Sequence, residues 1–95
     1  MKSNGLVKIV GNICQDPKVM DLPSGKRCQV FELAFHQNKE SLFIPIYLYK
    51  ICERLKKGDF ISVDGSPLIV KRKDYNKLGL IVRSFILLKA KQPTI

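Results

Sequence analysis

Residues 29–36 alternate between two kinds of side chain, and this alternation restricts the fold more than any other feature. Phe31, Leu33 and Phe35 fall on one side, and the even-numbered residues, which include Glu32, fall on the other. A period of two is typical of a strand with one buried face. A chain of 95 residues can bury one core, so we expect a single domain.

Other strand-like runs flank this segment and are separated by turn residues at 16–17 and 22–25. Residues 6–10 are rich in β-branched side chains, and Gly11 interrupts the run where a strand that closes a barrel would bend. Pro45 indicates an edge or a bulge in a third strand over residues 42–49. Residues 60–65 and 68–72, broken at 66–67, give the fourth strand, and residues 80–88 give the fifth.

Residues 50–57 are the only stretch with convincing helical spacing. Ile51 and Leu55 are four positions apart and share a face, and two lysines and a glycine follow at the C-terminal end. We therefore predict a two-turn helix between the third and fourth strands. Together these elements predict an all-β, five-stranded OB-fold barrel over residues 1–91, with a short tail at 92–95.

The charge distribution favours a polyanionic partner. The formal net charge is +9, and residues 49–95 hold eleven of the 17 Lys and Arg residues but only four of the 8 acidic residues. Basic proteins of this size typically meet nucleic acid, anionic lipid or acidic proteins. The longest apolar runs, such as residues 85–88, are too short to cross a bilayer, and residues 1–5 lack the pattern of a secretory signal.

The residues that carry catalysis or bind metals are too few and too scattered for an enzyme. Cys14, Cys28 and Cys52 are far apart and form no C-x-x-C pair, so we expect reduced thiols in a cytoplasmic protein rather than structural zinc. His36 is the only histidine, and no paired acids or phosphate-binding glycine loop accompany it. We therefore predict no enzymatic activity and no cofactor.

The strongest candidate for binding is the segment between the last two strands, residues 71–77. It should form a hairpin whose cations pair with phosphates and whose single aromatic ring, Tyr75, stacks on a base of any identity. Asp74 is its only acid; an ordinary solvated turn is the alternative interpretation. The four cations are Lys71, Arg72, Lys73 and Lys77.

The third strand offers a second candidate surface, because its two faces differ. Phe43, Tyr47 and Tyr49 alternate on one face, and the opposite face is wholly aliphatic. The aliphatic face is the natural one to fill a core, which leaves the aromatic face free for stacking on bases or for a dimer contact. Burial of individual rings is the alternative.

Several motifs resemble those of the bacterial single-stranded DNA-binding protein family. Residues 6–17, followed by Pro23-Ser24-Gly25, are similar to the family's opening strand and turn, and residues 55–59 and 63–65 are similar to its L-K-K-G and V-E-G motifs. The resemblance covers nearly the whole chain. This chain has no tryptophan and no acid after Asp74, whereas replicative members stack bases on tryptophans and end in an acidic tip.

A closer resemblance is to the truncated primosomal replication protein N (PriB) group within that family. Residues 23–36, the mid-strand Pro45, and lysines at positions 71, 73 and 77 are similar to its features, although Gln15 replaces a basic residue, for which Lys18 is the substitute. The resemblance implies a homodimer that binds single-stranded DNA and assists a primosomal helicase and other primosome proteins. Lys18, Lys26 and Arg27 are then secondary phosphate contacts, and Phe43 and Tyr47 join Tyr75 as stacking residues.

Three other interpretations stay open at this point. A compact protein from a phage or mobile element would coat single-stranded DNA without a helicase. An adaptor would use its basic face to meet an acidic protein. An RNA-binding protein is the third, because no residue pattern here distinguishes ribose from deoxyribose.

Overall fold

Six strands and no helix make up the part of the chain that the computed structural model describes, residues 6–90. The predicted tail at 92–95 and the end of the predicted domain lie outside these residues. Accordingly, the described part contains no helix with the length and hydropathy that a membrane crossing requires. The strands are β1 (Val7–Ile13), β2 (Lys18–Asp21), β3 (Arg27–Gln37), β4 (Glu40–Leu48), β5 (Phe60–Lys71) and β6 (Asn76–Lys89).

The strands form one sheet in the order β1-β5-β6-β4-β3-β2, and β1 makes an additional pairing with β3. This pairing, Asn12 with Ala34 and Ile13 with Leu33, joins the first strand to the other side of the sheet. The two strands approach closely at Gly11, where a Cβ atom would collide with the carbonyl oxygen of Ala34. Glycine is therefore required at the point where the sheet turns back on itself.

One apolar core lies on the inner face of the sheet, and the alternation along the strands selects its members. The aliphatic face of β4 is buried, as predicted, except for Leu42, which lies near the β3–β4 turn and is 62% exposed. Phe35, Val82, Phe85 and Leu87 pack partly buried around the core. The buried core residues are Ile9, Ile13, Phe31, Leu33, Ile44, Ile46, Leu48, Leu55, Ile61, Val63 and Leu80.

The helix predicted over residues 50–57 is wrong. Leu55 is buried, but the backbone around it forms hydrogen bonds with distant parts of the chain. The Gln29 side chain donates to the Cys52 carbonyl (3.1 Å) and accepts from the Cys52 N–H (2.9 Å). The Lys57 N–H donates to the Asp16 carboxylate (2.9 Å). A two-turn helix is marginal in isolation, so these tertiary hydrogen bonds prevail.

The strand boundaries also differ from those predicted. Lys18–Asp21 forms β2, a strand that the sequence did not predict. Residues 66–67 do not break β5, because Pro67 lies opposite Leu80 in a stretch of regular pairing with β6 that runs from Gly65 to Lys71. Parallel pairing of β4 with β6 begins at Ile46, directly after Pro45.

Strand β6 contains two irregularities of register. Ser84 lies opposite Asp64 and Val82 lies opposite Gly65, so Arg83 is an extra residue on β6. Leu88 is extra in the same way. Inward-facing positions on β6 are therefore even-numbered before Arg83, as at Leu80, and odd-numbered after it, as at Phe85.

Candidate nucleic-acid interface

The segment predicted to be a hairpin does connect the last two strands and forms a tight turn. Lys71 and Asn76 are the last paired residues of β5 and β6, and the Arg72 N–H donates to the Tyr75 carbonyl (2.8 Å). Residues 71–76 are all exposed, and Tyr75 has 58% of its surface accessible. The side chains of Lys71, Arg72 and Lys73 have no acidic partner within residues 6–90. Cationic groups and one ring are therefore presented to solvent at the tip.

The hairpin cations do not share one face. Lys71 lies opposite Asn76, and Val70 lies opposite Lys77, so alternation places Lys71 and Lys77 on opposite faces of the hairpin. Lys77 is turned toward the outer face of the sheet, where its Nζ lies 3.2 Å from Glu32 Oε2 on β3.

A row of side chains crosses the outer face of four strands. Lys18, Val30, Tyr47 and Ile81 are paired in turn across β2, β3, β4 and β6. Paired residues point to the same side of a sheet, so the Lys18 ammonium and the Tyr47 ring belong to one surface. We call this surface, with its neighbouring rows through Glu32 and Phe43, the outer face.

The Tyr47 ring is seated by a glycine on the neighbouring strand. A Cβ atom at Gly79 would lie 3.4 Å from Tyr47 Cε2, 3.3 Å from the Pro45 oxygen and 2.7 Å from Val70 Cγ2. The missing side chain leaves room for the ring to lie low over β6, half-buried. Phe43, four residues earlier on β4, is 48% exposed. Both the half-buried Tyr47 ring and the more exposed Phe43 ring can therefore contact a flat ligand.

The remaining predicted phosphate contacts lie at the β2–β3 end. Lys26 is exposed in the turn before β3, and Arg27 is the first residue of β3. Arg27 Nε lies 3.1 Å from Asp21 Oδ1, with 68% and 77% of the two side chains exposed. By alternation Arg27 lies on the opposite face of β3 from Glu32. The structure therefore brings Lys18 to the outer face and leaves Lys26 and Arg27 at its margin.

Sequence reasoning missed Glu32 as a member of this surface. Alternation already put Glu32 on the face opposite the core, but only the folded register brings it to Lys77, 45 residues away. The pair is partly shielded, with 27% of the Lys77 side chain and 33% of the Glu32 side chain exposed. Two ion pairs occur among residues 6–90, and this one lies on the outer face.

The cysteine beside the ion pair is not an activated nucleophile. Burial and the Glu32 carboxylate raise the pKa of the Cys14 thiol, and the nearby Lys77 ammonium lowers it. Burial also raises the pKa of Cys28. A raised pKa keeps a thiol protonated and slow to react.

His36 is exposed at the end of β3, and its Nδ1 shares a hydrogen bond with Ser41 Oγ (2.7 Å). No cluster of three or more metal-ligating side chains occurs in the described part of the chain.

The fold is similar to that of a protein whose crystal structure has been solved. Two crystal structures of Rim1, a mitochondrial single-stranded DNA-binding protein from S. cerevisiae, superimpose on this chain. One has a TM-score of 0.75 at 18% identity, covering 90% of this chain and 97% of Rim1. The other has a TM-score of 0.78 at 17% identity, covering 95% and 100%. No protein-family model and no curated protein matches the sequence.

These similarities define the class of fold. Residues 6–90 have an all-β, six-stranded architecture that resembles the OB-fold of single-stranded DNA-binding proteins. At identities of 17% and 18% the likeness extends to the fold and to nothing finer.

Proposed function

We propose that this protein binds single-stranded DNA along its outer face and the tip of the β5–β6 hairpin. The observation that carries the proposal is the row from Lys18 to Tyr47, together with a hairpin whose three tip cations have no acidic partner within residues 6–90. Cations hold a flexible backbone without regard to sequence, and rings stack on successive bases. The fold shared with Rim1, a single-stranded DNA-binding protein, supports the same function.

Each predicted residue has a defined role in this proposal. Tyr75, Phe43 and Tyr47 stack on bases, because each retains an accessible ring surface. Lys18, Lys26 and Arg27 guide the strand at the β2–β3 end. Phosphates are held at the hairpin by Lys71, Arg72 and Lys73. Lys77, which the sequence also predicted as a phosphate contact, forms the ion pair with Glu32 instead.

The finer part of the proposal concerns the pathway. We propose that the protein is a cytoplasmic, homodimeric accessory factor of the replication-restart primosome, similar to PriB, and that it assists a primosomal helicase without chemistry of its own. The circuit of pairings through β1, β5, β6, β4 and β3 would be its OB-fold barrel. The sequence motifs at residues 23–36 and the lysines of the hairpin support this assignment.

A salt-dependent titration tests the binding function. Fluorescence anisotropy of a labelled single-stranded thirty-mer, beside a duplex of the same length, is measured from about 50 to 200 mM salt. We expect tighter binding to the single strand and an affinity that falls steeply with salt. Negligible binding at the lowest salt would instead favour an adaptor for an acidic protein. Tighter binding to an RNA thirty-mer than to the DNA would favour an RNA-binding role.

Two further measurements test the finer proposal. Stimulation of unwinding by a primosomal helicase is expected, whereas coating of DNA without any effect on the helicase would favour a phage or mobile-element protein. Multi-angle light scattering is expected to give the mass of a dimer, twice the chain mass of 10.8 kDa.

A further inference from the structure

Lys77 differs from the other hairpin cations because it already forms an ion pair with an acid. Its Nζ lies 3.2 Å from Glu32 Oε2, and both side chains are about two-thirds or more shielded from solvent. Lys71, Arg72 and Lys73 are exposed and have no acidic partner within residues 6–90. Partial burial strengthens the attraction between the two charges, because water screens them less.

The position of the pair makes it relevant to binding. Glu32 lies opposite Pro45 on β4, in the row between those of Tyr47 and Phe43. Successive rows on one face of a strand are about 7 Å apart, so Glu32 lies on the strand next to the two rings proposed to stack on bases, level with the gap between them. A DNA backbone that follows these rings passes the carboxylate, and its phosphates meet Lys77 only if Glu32 releases it.

The Cys14 thiol is a third group that lies close enough to be affected by both charges. The Cys14 N–H donates to the Glu32 carbonyl (2.9 Å), which holds the Cys14 thiol beside the pair. The Glu32 carboxylate raises the pKa of this thiol, and the Lys77 ammonium lowers it. Both charges are therefore felt at one place on the outer face.

We propose that Glu32 competes with DNA phosphate for Lys77, so that in the parent protein Lys77 adds little to binding. This inference rests on the proposed single-stranded DNA binding and assigns to Glu32 a role that limits affinity on that same surface. When a phosphate displaces Glu32, it forms one contact with Lys77, but the contact between Lys77 and Glu32 is lost. The freed carboxylate then repels the phosphate. The hairpin tip then supplies the phosphate contacts, and the ion pair stays closed.

The test compares Glu32→Gln with the parent protein in salt-dependent titrations of a single-stranded thirty-mer. Gln has nearly the same shape, so the outer face keeps its packing while Lys77 becomes free. We expect about fivefold tighter binding at low salt, a change of the size that one ion pair near the protein surface can contribute. We also expect the slope of log affinity against log salt to steepen by about 0.7, the value for one additional phosphate contact on a single strand.

Matched variants separate this effect from a general change of charge. Glu40→Gln removes the same charge from the exposed start of β4 and should leave the slope unchanged. Lys77→Met should leave the slope unchanged in the parent background, but should abolish the gain when it is combined with Glu32→Gln. Alkylation of Cys14 measured at its own peptide should become faster in Glu32→Gln, because the acid that raises its pKa is gone.

The outcomes are distinguishable from those of the proposed function. If the parent and Glu32→Gln both fail to bind single-stranded DNA, the proposed function is wrong and this inference falls with it. If the parent binds but Glu40→Gln tightens binding as much as Glu32→Gln, or Lys77→Met flattens the parent slope by about 0.7, the competition inference alone is wrong.

Discussion

At the residue scale, the hairpin tip carries charges that the fold leaves free. Lys71 and Lys73 flank Arg72 at the turn closed by the Arg72–Tyr75 hydrogen bond, and neither lysine meets an acid within the described residues. Among residues 6–90, neither side chain takes part in a hydrogen bond or an ion pair. Their removal should therefore change binding and leave stability as it is.

The first prediction concerns Lys71→Ala combined with Lys73→Ala. Each lysine releases counterions when it binds a phosphate, so the double variant should flatten the salt slope by about 1.4 on any single-stranded sequence. Anisotropy titrations at several salt concentrations measure this change. Lys8→Ala with Lys89→Ala removes the same charge elsewhere and serves as control. Equal slopes for the two double variants would contradict the assignment of the hairpin.

The second prediction concerns the ring of Tyr47. Replacement by Leu should weaken binding to single-stranded DNA by about 1–3 kcal/mol, because one stacked base loses its platform. Tyr47→Phe keeps the ring and should bind like the parent. Dissociation constants of all three proteins give the comparison, and an equal loss in both variants would show that the hydroxyl group, not stacking, matters.

At the element scale, Gly11 and Gly79 both lie where a side chain would collide with a neighbouring strand, but what it would meet differs. At Gly11 the obstacle to a side chain is the backbone of Ala34, and at Gly79 it is chiefly the Val70 side chain. A strand backbone cannot shift without breaking the pairing of β1 with β3, whereas a side chain can adjust.

The third prediction follows from this difference. Gly79→Ala should destabilise the fold by about 1–3 kcal/mol, the usual range for overpacking, and should displace the Tyr47 ring. Gly11→Ala should cost more than Gly79→Ala. Urea denaturation followed by far-UV circular dichroism measures both free energies of unfolding, and the reverse order would contradict the closeness of β1 to β3.

The sequence predicted the strands whose periods are clear and failed where tertiary contacts decide. Alternation identified β3 and the buried face of β4, because Phe31, Leu33 and Ile46 must share an interior. The helix failed because Gln29 and Asp16, both distant in sequence, bind the backbone of residues 50–57. In the same way, the ion pair of Lys77 with Glu32 depends on a register that no local pattern contains.

At the scale of the whole molecule, burial of thiols links stability to alkaline pH. Burial is the largest cause of the raised pKa of both Cys14 and Cys28, relative to an ordinary value of 9.0. The unfolded chain therefore loses these protons at lower pH than the folded chain does. By linkage, stability from this source is complete below about pH 9 and declines as the pH rises further.

The fourth prediction tests that linkage. The free energy of unfolding in urea should fall as the pH rises above about 9, and that of Cys28→Ala should fall less steeply, because one of the two groups is gone. Reducing conditions keep the thiols free during the measurement. A slope that is identical in the parent and in Cys28→Ala would contradict a raised pKa at Cys28.

The extra residue on β6, Arg83, has a consequence for how such a protein could diverge. If Arg83 is omitted, the residues from Leu80 to Leu87 alternate without interruption between inward and outward positions. The hydrophobic pattern would thus survive the loss of one codon, while the bulge and the bend that it produces would not. The direction in which the hairpin points is therefore open to change by a single in-frame deletion, at little cost to the core.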